Sequence, residues 1–350
     1  MTETAIILAN EFFDTPHAKT SHGLVRGPCR FQLLGVVDAG CSGRDAGEVL
    51  DGIPRDIPVF ESVAAALAEH RPTYAIVGVA TPGGVLPASM RRDLIEAARG
   101  GVGLINGLHT LLCDDPEIAA AASEGGAQIL DIRRPRPVSE LAHWHGDILE
   151  VSTPRVAVLG TDCAIGKRTT ATFLLQRARE IGLSAELIST GQTGWLQGHR
   201  FGFFFDATPN DFVSGELERL VVECVREVDP QLIFFEGQSS FFNPSGPCGA
   251  EFILSGGAKF AVIQHAPGRP YHDDLEHVHA AIAPLEKHIA MTELLGAKVL
   301  GITLNQQSLS DEDAVRERDR LRQKLEIPVV LPLRDGVDLV LDAIRAEVEL

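Results

Sequence analysis

The residues best suited to chemistry lie between positions 155 and 170, where an apolar run leads into a loop bounded by two glycines. The run has the β-branched, uncharged character of a buried parallel strand, and the residues after the loop have helical spacing. Such a loop presents backbone N–H groups at a helix N-terminus, which favours anions. A lysine adds a full charge, and two threonines offer hydroxyls to a metal ion or a phosphate. The residues expected to bind a phosphorylated cofactor are Gly160, Thr161, Asp162, Cys163, Ala164, Ile165, Gly166, Lys167, Arg168, Thr169 and Thr170.

This loop differs from the usual phosphate loop in two respects. The usual loop has four residues between its glycines and a hydroxyl residue directly after the lysine. Here five residues separate Gly160 from Gly166, and Arg168 stands directly after Lys167. The Gly-Thr-Asp opening and the five-residue spacing resemble the loop of dethiobiotin synthetase and its relatives, which implies ATP as a ligand. A strand-to-helix turn without any ligand is the structural alternative.

Two further strand ends carry candidate catalytic residues. The apolar run 232–235 ends in Glu236, as expected of the acid that holds Mg²⁺ beside a phosphate loop. The run 259–264 is followed by His265, a side chain able to act as a general base near neutral pH. We predict catalytic roles for Glu236, His265 and Lys167. A solvated strand-terminal glutamate and a structural histidine are the alternatives.

Residues for a second substrate are expected at neighbouring strand ends. The stretch 189–194 follows the second strand of the same domain and should face the same crevice. Asn305 also follows a strand and is predicted to bind the cofactor. In dethiobiotin-synthetase-like proteins an asparagine in this position contacts the adenine, and a turn-forming asparagine is the alternative. A long, basic, polar loop is expected over 10–26. The planar guanidinium of arginine can donate two parallel hydrogen bonds to a carboxylate. The predicted substrate-binding residues are Lys19, Arg26, Gln192, Gln238 and Arg269.

Composition limits the classes of function. The chain has 350 residues, of which 45% are hydrophobic and 23% charged, and a formal net charge of −17. That charge disfavours nucleic acid or an anionic membrane as a partner. We expect no signal peptide and no membrane span. We also expect no metal site, because the two His-x-His pairs lack a third ligand at a recognisable spacing. Six cysteines without a CxxC pair predict a reduced, cytoplasmic protein.

Strand-like and helix-like segments alternate along the whole chain, which predicts an α/β protein with parallel sheets. The run 133–137, with two prolines and three arginines, interrupts the alternation. We therefore predict two doubly wound parallel-sheet domains, a Rossmann-like domain over 1–140 and a P-loop NTPase-like domain over 141–350. Strands of the second domain are expected at 155–159, 185–188, 231–235, 259–264, 298–303 and 328–331.

The motifs taken together resemble one bacterial and archaeal family, formerly a domain of unknown function, over nearly the whole chain. The stretches that carry the resemblance are 19–26, 160–170, 235–238 and 264–267. The family joins a Rossmann-like domain to a P-loop domain and includes D-glutamate N-acetyltransferases of the DgcN type. The resemblance implies transfer of an acetyl group from acetyl-CoA to the amine of D-glutamate, which supplies an epimerase-like partner enzyme in D-amino-acid catabolism.

Three functions remain open from the sequence. The first is the acetyl-CoA-dependent N-acetyltransferase that acts on an acidic D-amino acid, since coenzyme A carries a pyrophosphate that suits the loop. The second is an ATP-dependent ligase or kinase, with Thr169 and Glu236 on Mg²⁺. Local motifs alone slightly favour this second function. The third is a nucleotide-sensing protein without turnover. In each case we expect a small-molecule ligand and a homo-oligomer.

Overall fold

The protein is described by a computed structural model that covers residues 3–350 and, at Pro82, the backbone alone. Its internal contacts divide the chain into two compact units. The first unit comprises the residues up to Pro135 together with the segment Gln192–Gly198. The second unit comprises Arg136–Gly191 and His199–Leu350. The first boundary, between positions 135 and 136, lies within the Pro-Arg interruption at 133–137.

The first unit is built on a six-stranded parallel sheet in the order β3-β2-β1-β4-β5-β6. The strand order reverses between β1 and β4, where such sheets open a crevice at the carboxyl ends of the strands. The elements are β1 Thr4–Leu8, α1 Lys19–Arg26, β2 Gln32–Val37, α2 Ala46–Asp51, β3 Val59–Phe60, α3 Val63–Glu69, β4 Tyr74–Val77, α4 Ala88–Arg99, β5 Gly103–Asn106, α5 Pro116–Gly125 and β6 Ile129–Asp131.

The second unit is built on a seven-stranded parallel sheet in the order β13-β12-β11-β7-β10-β8-β9. The elements from Arg155 onward are β7 Arg155–Gly160, α6 Lys167–Glu180, β8 Ala185–Ser189, α7 Gln192–Leu196, β9 Phe201–Gly202, α8 Asn210–Val228, β10 Leu232–Glu236, α9 Ala250–Leu254, β11 Phe260–His265, α10 Leu285–Leu294, β12 Lys298–Leu304, α11 Asp311–Leu325, β13 Val329–Val330, α12 Pro332–Asp335 and α13 Asp338–Val348. All of them except α7 belong to the second unit. The predicted fold class, two parallel-sheet α/β domains, is therefore confirmed.

Strand β7 lies at the centre of the second sheet, and all six of its residues are buried. Val156 and Val158 pack on one face with Leu174 of α6, whereas Ala157 and Leu159 pack on the other with Leu217 of α8. Burial on both faces explains why the strand appears in the sequence as a continuous apolar run rather than as an alternating pattern. None of the helices in residues 3–350 is long and apolar enough to cross a bilayer.

The predicted loop over residues 10–26 is wrong in its second half, because Lys19–Arg26 form the helix α1. Two turns of helix are not stable alone in water. Here Leu24 and Val25 are buried in the core of the first unit, and Ser21 donates its Oγ hydrogen to the backbone oxygen of Gly78 at 2.8 Å. These long-range contacts stabilise a helix that the local pattern does not indicate.

The segment that holds Gln192 follows β8 of the second unit in the chain but belongs to the first unit. That it faces the crevice of the P-loop domain stays a prediction. The Oε1 of Gln192 accepts a hydrogen bond from Arg133 at 2.5 Å, and the Oγ1 atoms of Thr193 and Thr20 lie 3.2 Å apart. Gly107 admits this segment, since a Cβ there would lie 2.8 Å from the Cβ of Gln192.

Candidate phosphate-binding site

A loop between β7 and α6 forms the centre of the candidate site. Gly166 ends it with a φ of 106°, a left-handed conformation that suits glycine. Gly160 begins it, and a Cβ there would lie 2.9 Å from the Cδ of Lys167. The lysine side chain can therefore cross the loop only because residue 160 has no side chain. The first turn of the fourteen-residue helix α6 directs its backbone N–H groups at the same place.

Lys167 lies inside this loop rather than in solvent, with 7% of its surface exposed. Its Nζ donates to the backbone oxygens of Asp162 and Ser239, the latter at 2.9 Å. Burial lowers the pKa of Lys167, opposed by negative charge nearby. Ser239 and Ser240 each carry a buried Oγ without a hydrogen-bond partner in the described chain. The loop thus holds a positive charge beside two hydroxyls that a polar ligand could use.

The carboxylate of Asp162 is fully buried and accepts four hydrogen bonds. Its Oδ1 accepts from His272 Nδ1 at 2.7 Å and from Asn243 Nδ2 at 3.2 Å, and its Oδ2 accepts from Arg269 Nη1 at 3.0 Å and from Asp273 N at 2.9 Å. Burial alone would raise the pKa of Asp162, but these hydrogen bonds outweigh it and hold the pKa below its ordinary value. The side chain of Asp162 holds the loop to its neighbours and has no oxygen left for a ligand.

Arg269, predicted to bind a substrate carboxylate, takes part in this anchorage. Besides Asp162, its guanidinium donates to the backbone oxygen of Cys163 at 2.9 Å and to Gln307 Oε1 at 2.7 Å. Only 11% of its side chain is exposed. These contacts favour the view that Arg269 fixes its own loop against the phosphate loop.

Hydroxyl and amide groups connect the loop to the neighbouring strands. Thr161 Oγ1 is hydrogen-bonded to His265 Nδ1 at 3.0 Å, and Thr170 Oγ1 donates to Gln264 Oε1 at 2.5 Å. Asn305 donates its Nδ2 hydrogen to the backbone oxygen of Ile165 at 2.9 Å, so its amide supports the loop in this structure. Thr169 forms no side-chain hydrogen bond within residues 3–350, which leaves its hydroxyl as the candidate for a ligand contact.

Burial shifts the pKa of both predicted proton acceptors, in opposite directions. Glu236, at the end of β10, is 5% exposed and accepts a hydrogen bond from Thr190 N at 3.0 Å. Burial raises its pKa, although the charges of Arg168 and Lys167 oppose the shift. Burial lowers the pKa of His265 to about 4, so its imidazole is neutral at pH 7. Glu236 and His265 are the last residues of β10 and β11, the two strands that pair directly with β7.

The remaining predicted substrate residues lie in different places. Gln238 donates to Thr190 Oγ1 at 2.8 Å beside Glu236. Lys19 begins α1, whereas Arg26 ends it and pairs with Asp51 at 2.9 Å. An eight-residue helix is about 12 Å long. Lys19 and Arg26 therefore lie at opposite ends of α1, and the pairing of either one with a substrate carboxylate stays a prediction.

Sequence reasoning missed His272 and Asn243. Both bind Asp162, from which they are separated by 110 and 81 residues along the chain. No pattern of neighbouring residues in the sequence predicts a contact between residues so far apart along the chain. His272 is fully buried, and its Nε2 has no hydrogen-bond partner in the described residues. A search of residues 3–350 finds no group of three or more His, Cys, Asp or Glu side chains able to hold a metal ion.

The fold and the site define an α/β protein in which a Rossmann-like unit is joined to a P-loop unit. Residues 142–341 match the family model described as "Domain of unknown function (DUF1611_C) P-loop domain", and residues 39–135 match its Rossmann-like N-terminal counterpart. The chain belongs to this DUF1611 family.

Two curated relatives and one solved structure extend the comparison. A protein of Tritonibacter scottomollicae named D-glutamate N-acetyltransferase is 31% identical over 77% of this chain and 80% of its own length. A protein of the same name from a Pseudoalteromonas species is 31% identical over 76% of this chain and 79% of its own length. The crystal structure of a DUF1611 family protein from Anabaena variabilis matches with a TM-score of 0.88 at 29% identity, over 98% of this chain and 99% of that one.

Proposed function

We propose that the protein is an N-acetyltransferase that transfers the acetyl group of acetyl-CoA to the amino group of D-glutamate or a related acidic D-amino acid. The observation that carries the proposal is the pair of relatives with this name, which align with more than three quarters of the chain. The phosphate loop supports it, since coenzyme A carries a pyrophosphate. We place the reaction in cytoplasmic D-amino-acid catabolism.

Lys167 and the backbone N–H groups of the loop would hold the phosphates of acetyl-CoA. The lysine ammonium donates hydrogen bonds to two backbone oxygens. Phosphate oxygens are stronger partners for an ammonium because they carry charge. Binding would therefore draw Lys167 toward the phosphates and release those backbone oxygens.

The transfer itself needs a proton acceptor and donors for an oxyanion. The ammonium of the amino acid loses a proton, and the free amine attacks the thioester carbon. The tetrahedral intermediate then loses its second proton and breaks the C–S bond to release coenzyme A as the thiol. Glu236 suits the first step better than His265, because burial raises its pKa and makes its carboxylate a stronger base, whereas a pKa of about 4 makes the His265 imidazole a weak one.

The length of coenzyme A restricts where this base can act. An extended pantetheine arm places the thioester about 15 Å from the pyrophosphate, by standard bond lengths. Glu236 lies close enough to the loop for its charge to interact with Lys167. A base in that position reaches the amine only when the arm folds back along the loop.

Thiol release tests the proposed function directly. Full-length protein is incubated with acetyl-CoA and, in parallel, D-glutamate, L-glutamate, D-aspartate or L-aspartate. We expect free thiol and an N-acetylated product by mass spectrometry, most with D-glutamate. Thiol release equal to the enzyme-free blank with all four amino acids would overturn the proposal.

An ATP-dependent ligase or kinase is the second candidate, and the position of Glu236 at a strand end beside the phosphate loop favours it. A chelator separates the two functions. ATP hydrolysis that requires Mg²⁺, in the absence of thiol release, would establish the second candidate in place of the first.

A further inference from the structure

Three buried polar side chains meet between the second sheet and the start of α6. Gln264 of β11, Thr303 of β12 and Thr170 of α6 are each 2% exposed or less. Gln264 and Thr303 are paired across the sheet. The Oε1 of Gln264 accepts hydrogen bonds from Thr170 Oγ1 at 2.5 Å and from Thr303 Oγ1 at 2.6 Å. The amide oxygen therefore has both of its acceptor positions filled by hydroxyls.

The amide nitrogen of Gln264 has no such partner. Neither threonine forms another side-chain hydrogen bond within residues 3–350, so both hydroxyl hydrogens go to Oε1 and hold the amide in one orientation. In that orientation Nε2 forms no hydrogen bond to any atom of the same residues. It is not closed off from solvent, unlike the unpartnered hydroxyl oxygens of Ser239 and Ser240. A ligand can therefore reach an unused donor on a side chain that is otherwise buried.

The free nitrogen lies at the end of the phosphate loop. A Cβ on Gly166 would be 3.7 Å from Gln264 Nε2, an ordinary contact distance, so a glycine here leaves the amide uncovered. The backbone of Gln264 also borders the loop, because its oxygen accepts from Thr161 N at 3.0 Å. Asn305 Nδ2 lies 4.0 Å from the same Cβ position, but it donates to the backbone oxygen of Ile165. Of these two amides, Gln264 is the one whose nitrogen has no partner in the described residues.

We infer that Gln264 is a ligand-binding residue, whose Nε2 donates a hydrogen bond to a phosphate oxygen beside Gly166 while Thr170 and Thr303 position the amide for this contact. The ligand atom must be an acceptor, because the nitrogen can only donate and the amide oxygen is engaged. The N-terminus of α6 favours anionic oxygens at this place. The inference rests on the proposed function for its choice of coenzyme A as a probe.

Calorimetric titration of the full-length protein with coenzyme A and with inorganic pyrophosphate tests the contact. Gln264→Glu keeps an oxygen for the two threonines and replaces the donor with a second oxygen that repels phosphate. At pH 8.5 we expect it to bind both probes about tenfold to a hundredfold more weakly than the parent. Equal affinity of the variant and the parent would overturn the inference. A loss with coenzyme A but not with pyrophosphate would place the contact on the nucleoside and overturn the phosphate assignment.

Gln231→Glu is the matched control. It makes the same replacement at the amino end of β10, at the opposite edge of the sheet from the loop. There Gln231 Oε1 accepts a hydrogen bond from Ser184 N at 3.0 Å, which a carboxylate can also accept. This variant should bind both probes as the parent does. A loss as large as that of Gln264→Glu would show a general effect of charge and refute the contact.

Two further variants avoid a buried carboxylate, which could prevent folding. Gln264→Met removes the donor without adding charge and should bind both probes about tenfold more weakly; unchanged binding would overturn the inference. Thr303→Val keeps the size of the side chain and frees one side of the amide. It should weaken coenzyme A binding about threefold to tenfold, and Thr303→Ser should restore it. Unchanged binding by Thr303→Val would overturn the positioning role of Thr303.

The outcomes separate this inference from the proposed function. If the parent binds pyrophosphate but not coenzyme A, the proposed function fails, and pyrophosphate alone decides the role of Gln264. If the parent binds both probes and the Gln264 variants bind them equally well, the inference fails and the proposed acetyltransferase is unaffected. If the parent binds neither probe, both fail.

Discussion

At the scale of single residues, the phosphate loop separates side chains that are available to a ligand from side chains that hold the loop. Lys167 contacts backbone oxygens that a phosphate can replace. Asp162 is saturated by four donors, so it supports the loop from behind. The sequence predicts both as ligand contacts, because a motif gives the type of a residue and not the direction of its side chain.

Lys167→Ala should weaken the binding of acetyl-CoA by tenfold to a hundredfold. The variant loses a charge-assisted contact worth about 1.5–3 kcal/mol. Calorimetric titration measures the change. Lys298→Ala is the matched control, because Lys298 lies on the surface in an exposed pair with Glu347. If the Lys167 variant binds acetyl-CoA as tightly as the parent, the loop does not bind the phosphates.

Asp162→Asn should destabilise the second unit. Removal of one partner from a buried ion pair costs about 3–5 kcal/mol, because the remaining charge stays buried without compensation. Here the remaining charge is the guanidinium of Arg269. Chemical denaturation measures the loss. Asp338→Asn breaks a pair whose carboxylate side chain is 57% exposed and should change stability by about 1 kcal/mol or less. Equal stability of the two variants would contradict the anchoring role.

Arg269→Lys tests whether this arginine anchors the phosphate loop or binds a carboxylate of the substrate. The lysine keeps the charge and loses the planar fork, which here spans Asp162, Cys163 and Gln307. As an anchor of the loop, Arg269 should affect both substrates, so the KM values for acetyl-CoA and for the amino acid rise together. A rise in the KM for the amino acid alone would restore the predicted pairing of Arg269 with a substrate carboxylate.

At the scale of elements, the sequence predicts the central strands well and the short helices poorly. The sequence predicts strand β7 over 155–159, and the strand spans Arg155–Gly160. The two agree because burial on both faces of the strand produces a continuous apolar run in the sequence. Helix α1 was missed because its eight residues depend on contacts with distant residues. The strand ends at Glu236 and His265 were predicted together, since parallel neighbours of β7 must end at the same edge. The anchors His272 and Asn243 lie in irregular segments between elements, where spacing predicts nothing.

Strands β10 and β11, on either side of β7, carry the two candidate bases, and substitution of these bases should have different effects. Glu236→Gln keeps an acceptor for Thr190 N but removes the base, so kcat should fall about a hundredfold or more. His265→Gln should mainly raise the KM for acetyl-CoA, because it disturbs Thr161 of the loop. Steady-state kinetics at fixed pH separates the parameters. An intact kcat in the Glu236 variant, with kcat lost in the His265 variant, would assign the base to His265.

At the scale of the whole molecule, acid should destabilise the second unit. Burial lowers the pKa of His199, His265 and His288 to about 4 each, and all three lie in this unit. Between pH 6.5 and pH 4 the unfolded chain binds protons at these positions and the folded chain does not. Stability therefore falls as the pH falls through this window.

Substitution of His288 measures the contribution of one of these histidines to the pH dependence of stability. It is 1% exposed, both ring nitrogens are buried without partners in the described chain, and the ring packs edge-on against Phe242 at 4.9 Å. At pH 5 its linkage costs the parent about 2 kcal/mol, from 1.36 kcal/mol per pH unit below 6.5. His288→Phe removes that cost and keeps a ring against Phe242. Its stability relative to the parent should therefore rise by about 2 kcal/mol between pH 7.5 and pH 5.

Denaturant unfolding at several pH values measures this slope. His288→Leu repeats the test if the larger phenylalanine ring disturbs the packing, because leucine removes the same titration. His277→Gln is the control, since this histidine is exposed and its loss should leave the pH dependence of the parent unchanged. If the His288 variants and the parent lose stability in parallel from pH 7.5 to pH 5, His288 takes up its proton in the folded protein and is accessible to water, contrary to its burial beneath Phe242.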